Sequence, residues 1–345
     1  MNRTILLFAA TVALILPVSS FSQATAPRTL VVAAIGGSTG ATIRSLYEPW
    51  EKRENVKIQW VTNANSISTV AKIVAQKAHP EFDIAFGDNI THYSGLEHGI
   101  WGHIDPKIVT NLKDTNTRAI PADGGGVGFG FFYAGLFYRY DEFQKLNLPP
   151  PTSWFDIFRK DLCGRVGLQV ATSTYTVQML IMLAGGKADK VPQAIKDIAA
   201  HKDCFPVLEA VNNLEQKVQS GEYLLGVHGQ IRVLPLVKKG LPVRFVLPKE
   251  GSVISYSTVS IVNNAPHPEL AQSFINWILE PSVQEELAKR QFYGPVNTTV
   301  KVPAELVAQG VPDAAMMAGM TSVSEKVIFD NRRDWSQQLE RAMAR

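Results

Sequence analysis

The stretch VVAAIGGSTGATIRS, residues 31–45, decides the fold. Val31–Ile35 is an apolar, strand-like run. It ends in Gly36-Gly37-Ser38-Thr39-Gly40, and the residues after it suit a helix. Three readings compete. The pattern G-x-S-x-G is that of a nucleophile elbow, with Ser38 as the attacking hydroxyl. The glycines also suit the first turn of a dinucleotide-binding unit. The third reading is a loop whose hydroxyls and amides hold a ligand at a helix N-terminus, where N–H groups point outward with partial positive charge.

The first two readings need partners that the chain does not place well. A nucleophile elbow follows several earlier strands, one of which completes the oxyanion hole. Here the motif sits on the first strand after the leader, although seven histidines leave a base available by count. A secreted serine hydrolase using Ser38 stays as the enzyme alternative. A dinucleotide site needs an acid at the end of the second strand. That strand ends QWVTNAN, with Asn63 and Asn65 in place of an acid. The ligand loop needs only what is present, since Ser38 and Thr39 both donate and accept. A tight strand-to-helix turn with no ligand is its plain counterpart.

The chain of 345 residues opens with Arg3, an apolar run to Val18 and a small-residue end at Ser22-Gln23-Ala24. This is the form of a secretory signal peptide over 1–24, cleaved near Ala24. The alternative is a buried N-terminal helix. The apolar run is short for a membrane span. The mature chain is expected in the periplasm, without membrane insertion of its own. About 320 residues then remain, more than one core usually covers, so two domains are expected. The formal charge of +3 comes without a Lys/Arg stripe, which argues against nucleic acid. The two cysteines, Cys163 and Cys204, pair in an oxidising compartment or stay as separate buried thiols. Closing their loop of about 41 residues is worth roughly 4 kcal/mol in the chain-entropy model. Neither has histidine at metal-ligand spacing, and no cofactor is expected.

Apolar runs alternate with helical patterns. Strands are expected at 30–35, 56–61 and 82–86, with helices at 41–53 and 66–77. That order implies a parallel sheet with right-handed crossovers. VGFGFFYAGLFYRY, residues 127–140, lacks helical periodicity and reads as one or two long strands passing to a second lobe. There, strands are expected at 166–170, 223–227, 243–247 and 257–262, and helices at 175–183, 205–219 and 233–239. Pro268 and Pro281 open two further helices. Leu270, Phe274, Trp277 and Ile278 fall on one face of the first.

Several stretches carry a family resemblance. They are AGLFYRYDEF (134–143), PPPTSWFDIF (149–158), CGRVGL (163–168), GEYLLGVHGQIRVLPLVKKGLPVRFVLPKEG (221–251) and HPELAQSFINWILEPSVQEELAKRQFYGPVN (267–297). With them the chain resembles the periplasmic solute-binding proteins of ABC importers, in the group serving spermidine/putrescine, ferric iron, thiamine and phosphonates. The resemblance implies an α/β fold of two lobes, the type II periplasmic binding protein fold, with the ligand cleft between them. Lobe one would take 27–132 and 260–320, and lobe two 138–257. A C-terminal helix would take 321–345, with hinges near 131–138 and 258–262. It implies no catalysis, an inner-membrane ABC permease as partner, and a monomer. A ligand-binding subunit of a sensor is a further alternative.

Family contact positions carry over residue by residue. The first lobe offers Ser38 and Thr39, then Asp88 and Asn89 in FGDNITH. Asp88 holds an amine or hydroxyl, or only caps a helix. The second offers Thr172, Ser173 and Thr174 in ATSTYT, His228 in GVHGQ, and Tyr256 and Ser257 in ISYSTV. The sequence departs from the polyamine pattern here. Acids expected near 172–176 and 257 are missing, and His228 replaces a tryptophan. A solvated loop histidine is the plain reading of His228. Too few carboxylates remain to offset the desolvation of a dication. No adjacent tyrosine pair marks an iron site. The expected guest is a small anionic or zwitterionic solute, such as an aminophosphonate or organic acid; a polyamine is the alternative.

Overall fold

The computed structural model describes residues 28–35, 38–63 and 66–344, and for 35, 38–44, 66 and 67 the backbone only. The expected leader over 1–24, Gly36, Gly37 and the side chains of Ser38 and Thr39 lie outside the described residues.

The first strand, β1 (Arg28–Ile35), leads into helix α1 (Ser38–Glu54), which places Ser38 and Thr39 in a helical first turn. Asn55, at φ 49°, turns the chain into β2 (Val56–Asn63), parallel to β1. Helix α2 (Ser66–Ala75) returns to β3 (Ile84–Asp88), parallel to β1 on its other edge. Both faces of β1 are buried. Leu30, Val32 and Ala34 face one cluster, and Ala33 faces another with Val70, Ile73 and Trp101. A parallel sheet covered on both sides accounts for these continuous apolar runs. Helix α3 (Asn89–Glu97) follows β3 directly.

A long connection reaches β4 (Gly126–Arg139), a single unbroken strand buried along its whole length. Its first part pairs with one lobe and Ala134–Arg139 with the other, so the switch falls at Tyr133–Ala134. The second lobe is built from helix α4 (Tyr140–Lys145), β5 (Val166–Gln169), α5 (Thr174–Leu183), α6 (Val191–Ala200), β6 (Leu208–Glu209), α7 (Val211–Ser220), β7 (Leu225–Gly229), α8 (Gln230–Lys238) and β8 (Val243–Val246). The helix expected over 205–219 begins only at Val211. Phe205 precedes Pro206 and is held extended, and the short strand β6 follows. The sequence reading also passed over α6, whose Val191, Ala194, Ile195 and Ile198 enter the second-lobe core. Cys163 and Cys204 are disulfide-bonded.

The chain returns through β9 (Ile254–Ile261), inserted antiparallel between β3 and β4. The sheet path is β2-β1-β3-β9-β4-β7-β5-β6, with β8 also on β4. Helices α9 (Pro268–Ile278) and α10 (Pro281–Gln291) complete the first lobe. Phe274 and Trp277 of α9 pack on Tyr47 and Trp50 of α1, with Phe274 edge-on to Trp50 at 5.0 Å. Two short helices, α11 (Ala304–Gln309) and α12 (Ala314–Gly319), precede the long α13 (Glu325–Met343). Ile328, Trp335 and Leu339 seat α13 in the second-lobe core. No described helix is long and apolar enough to cross a membrane.

Candidate functional site

In an open α/β sheet, ligands sit beyond the carboxyl ends of the parallel strands. Here those ends, from β3 in one lobe and β5 and β7 in the other, face each other. Asp88 closes β3 and caps α3. Its Oδ1 accepts from the Thr91 amide at 2.9 Å and from Thr91 Oγ1 at 2.8 Å. Its Oδ2 accepts from Thr174 Oγ1, across the cleft, at 3.2 Å. Asp88 therefore caps a helix and also reaches the opposite lobe. Asn89 is buried, with its Oδ1 lacking a hydrogen-bond partner.

The hydroxyls of ATSTYT divide their work. Ser173 caps α5, accepting from the Tyr175 amide and donating to Gln169 Oε1 at 2.7 Å. Its hydroxyl is committed within the lobe. Thr172 is exposed and accepts through its carbonyl from Arg332 at 3.1 Å. Thr174 is the member that faces the other lobe.

His228 differs from the solvated loop residue considered above. It lies in β7, fully buried, with Tyr175 and Phe137 rings 5.0 and 5.7 Å away. Burial drives its pKa down, against the opposing pull of Glu215. Nδ1 accepts from the Gly229 amide at 2.8 Å, which puts the proton of the neutral ring on Nε2. Glu215 Oε1 lies 3.0 Å from Nε2 but without hydrogen-bond alignment, so that contact is chiefly electrostatic. Glu215 also accepts from Arg232 at 2.8 Å. Burial alone would raise the Glu215 carboxyl; His228 and Arg232 outweigh it and hold it below the ordinary range.

Strand alternation splits the last pair. Ser257 is buried, with its Oγ 2.9 Å from Tyr293 Oη. Tyr256 points to the reverse face of β9, where its hydroxyl donates to Glu325 Oε2 at 2.6 Å. Burial pushes the Glu325 carboxyl up to about 7, against hydrogen bonds from Tyr256 and Asn89. Burial likewise pushes Tyr293 up to about 12. A groove of about 230 Å³ opens beside Tyr256, walled in part by Tyr93, Phe131, Ile254 and Glu325.

The sequence reading did not single out Tyr175, Glu215, Tyr293, Glu325 or Arg332. Tyr293 sits inside the quoted YGPVN segment, whose match was a usable signal. Glu325 and Arg332 carry no local signal, because only the docking of α13 brings them here.

One Ser–His–Asp chain exists elsewhere. His92 Nδ1 lies 2.9 Å from Ser260 Oγ, and its Nε2 lies 2.8 Å from Asp123 Oδ1. Ser260 is 1% exposed and His92 0%. No substrate reaches that hydroxyl, and the serine faces Nδ1 rather than Nε2. The chain ties α3, β9 and the loop before β4 together. Among the described residues, no group of three or more His, Cys, Asp or Glu is placed to hold a metal ion.

Two lobes with facing loops of hydroxyls and amides make a receptor for a small solute, not a reaction centre. A family model for bacterial extracellular solute-binding proteins matches residues 45–313, and the chain belongs to that family. It is 27% identical over 274 residues to the spermidine/putrescine-binding periplasmic protein of Escherichia coli, covering 74% of this chain and 75% of that one. An ABC transporter substrate-binding protein from Bradyrhizobium japonicum superposes with a TM-score of 0.78 at 19% identity, covering 92% of this chain and all of that one. A periplasmic binding protein from Actinobacillus pleuropneumoniae, holding fructose-6-phosphate, gives 0.72 at 18% identity, with 91% and 97% covered.

Proposed function

We propose that this protein is the periplasmic substrate-binding component of an ABC importer, capturing a small anionic or zwitterionic solute between its lobes. The hydrogen bond from Thr174 to Asp88 carries this reading, because it joins the start of α5 in one lobe to the start of α3 in the other. A solute gripped there touches both lobes at once and favours the closed form by those added contacts. Asp88 takes an amine. The helix N-termini after β1 and β5, with Ser38, Thr39 and Thr174, take the anionic group. Arg232, held by Glu215 and Asn212, supplies a positive field over Tyr175 and Tyr293. Asn89, Ser173 and His228 shape the walls and keep these groups in place. The lobes would hinge near 131–138 and 258–262, and the closed form would present itself to the permease.

A polyamine is the second reading. The Asp88 carboxyl faces the other lobe, and Glu325 behind β9 lies within electrostatic reach of it, which adds negative charge near the cleft. Two of the aromatic rings in the cleft, Tyr175 and Tyr293, suit an alkyl chain. The E. coli relative named for spermidine and putrescine points the same way. A thermal-shift panel of aminophosphonates, sugar phosphates, organic acids, putrescine and spermidine separates the two. A ligand at 100-fold its Kd stabilises by about 2.7 kcal/mol. The largest shift with an anionic or zwitterionic solute supports the first reading; the largest with a polyamine replaces it by the second.

A further inference from the structure

Among the described residues the chain passes between the lobes three times. β4 and β9 are two passages, and the third is 320–324, between α12 and α13. Met317 of α12 belongs to the first-lobe core and accepts from Arg118 through its carbonyl at 3.0 Å. α13 belongs to the second. It packs on α5 and α6, and its Ser336 donates to the Ala171 carbonyl at 2.8 Å. Yet the same helix also touches the first lobe. Glu325 receives the Tyr256 hydroxyl at 2.6 Å and a hydrogen bond from Asn89. Phe329 stacks on Tyr93 of α3 at 5.6 Å. Arg332 holds the Thr172 carbonyl while feeling the charge of Asp88.

We propose that α13 is an interlobe strap: anchored in the second lobe, it grips α3 and β9 of the first and weights the balance between open and shut forms toward the shut one. Opening the cleft must part α13 from one side. On the second-lobe side, Ile328, Trp335 and Leu339 are 7%, 2% and 0% exposed. On the first-lobe side the seam is one hydrogen-bonded carboxyl, one stacked ring, the charge of Arg332 near Asp88 and a groove. That seam yields first, so its contacts weight the resting ratio of open to shut molecules. The strap acts through geometry and needs no solute. It rests on the two-lobed reading but not on the identity of the guest.

The test uses the full mature chain without solute. Spin labels at Lys57→Cys in the first lobe and Lys196→Cys in the second report the interlobe distance by pulsed electron resonance; both native positions are exposed. The parent gives the reference balance of shorter and longer distances. Phe329→Ala and Glu325→Ala should each move weight from the shorter to the longer distance, by roughly a tenfold shift in the open-to-shut ratio, about 1.4 kcal/mol. Val327→Ala, on the exposed side of α13, should leave the distribution unchanged. Identical distributions in parent and both seam variants would overturn the strap, as would an equal response to Val327→Ala. Near-ultraviolet circular dichroism checks folding, and Phe329→Leu serves if the alanine variants do not fold. Because no ligand is present, a failed solute panel leaves this result standing, and the reverse also holds.

Discussion

Replacing Glu325 by glutamine should make the protein more stable in mild alkali and leave it nearly unchanged in acid. Burial raises the carboxyl from 4.5 to about 7 in the folded state. The groups facing it are Tyr256 of β9, Tyr93 and Asn89 of α3, and Asp88 of β3; the guanidinium of Arg118 lines the same groove. A raised carboxyl binds its proton more tightly when folded. Stability is therefore lost as pH rises from the unfolded value, 4.5, to about 7, and the loss is complete above that. Holding the proton to that higher pH corresponds to about 3 kcal/mol. Glutamine keeps an acceptor for Tyr256 and brings an amide donor for the unpartnered Asn89 Oδ1. The net gain at pH 8 is about 3 kcal/mol, or about 6 °C in Tm for a chain of this size. Calorimetry of both proteins at pH 4.5 and 8 measures it. A glutamine variant that is less stable than the parent at pH 8, or a difference that does not change with pH, would refute the reasoning.

Thr174→Val removes the hydroxyl bridging to Asp88 and should weaken the best solute about fivefold, near 1 kcal/mol, as read by titration calorimetry; an unchanged Kd would place the solute elsewhere. Replacing Cys163 and Cys204 together by serine should cost roughly 4 kcal/mol in urea unfolding. Hydrogen bonding from His92 and Gly125 outweighs burial and holds the Asp123 carboxyl below its ordinary range. The stability it confers should be present above the unfolded value of 3.8 and vanish as pH falls through the lower folded one. Asp123→Ala should cost about 2 kcal/mol at pH 7 by stranding a buried ring nitrogen, and that deficit should shrink as pH falls through the lowered folded value.

The lobes were legible because strands buried on both faces write themselves as apolar runs between turn residues. Val31–Ile35 and the aromatic run of β4 are of this kind, and the α9 stripe of Leu270, Phe274, Trp277 and Ile278 announced its buried face. Asp88 was legible as a helix cap, which its Oδ1 is, while its Oδ2 meets Thr174 of the other lobe. What stayed hidden depends on distance along the chain. Glu325 and Arg332 look like ordinary charges of an amphipathic helix until Trp335 and Leu339 dock. His228 reads as a loop residue because Gly226 and Gly229 flank it, whereas those glycines make room for the Phe137 and Tyr175 rings. The late start of α7 turned on Pro206, which a count of apolar residues does not weigh.

The position of β9 bears on how the chain is made. Its place in the sheet, between β3 and β4, is filled by residues synthesised some 130 positions after β4 begins, so a nascent molecule lacks the central plank of its first sheet. Early segments cannot complete a hydrogen-bonded ladder on their own. A ribosome-bound fragment ending before Ile254 should stay open to protease, and one extended past Gln291 should gain resistance. Such an ordering keeps a polypeptide threadable until nearly all of it exists.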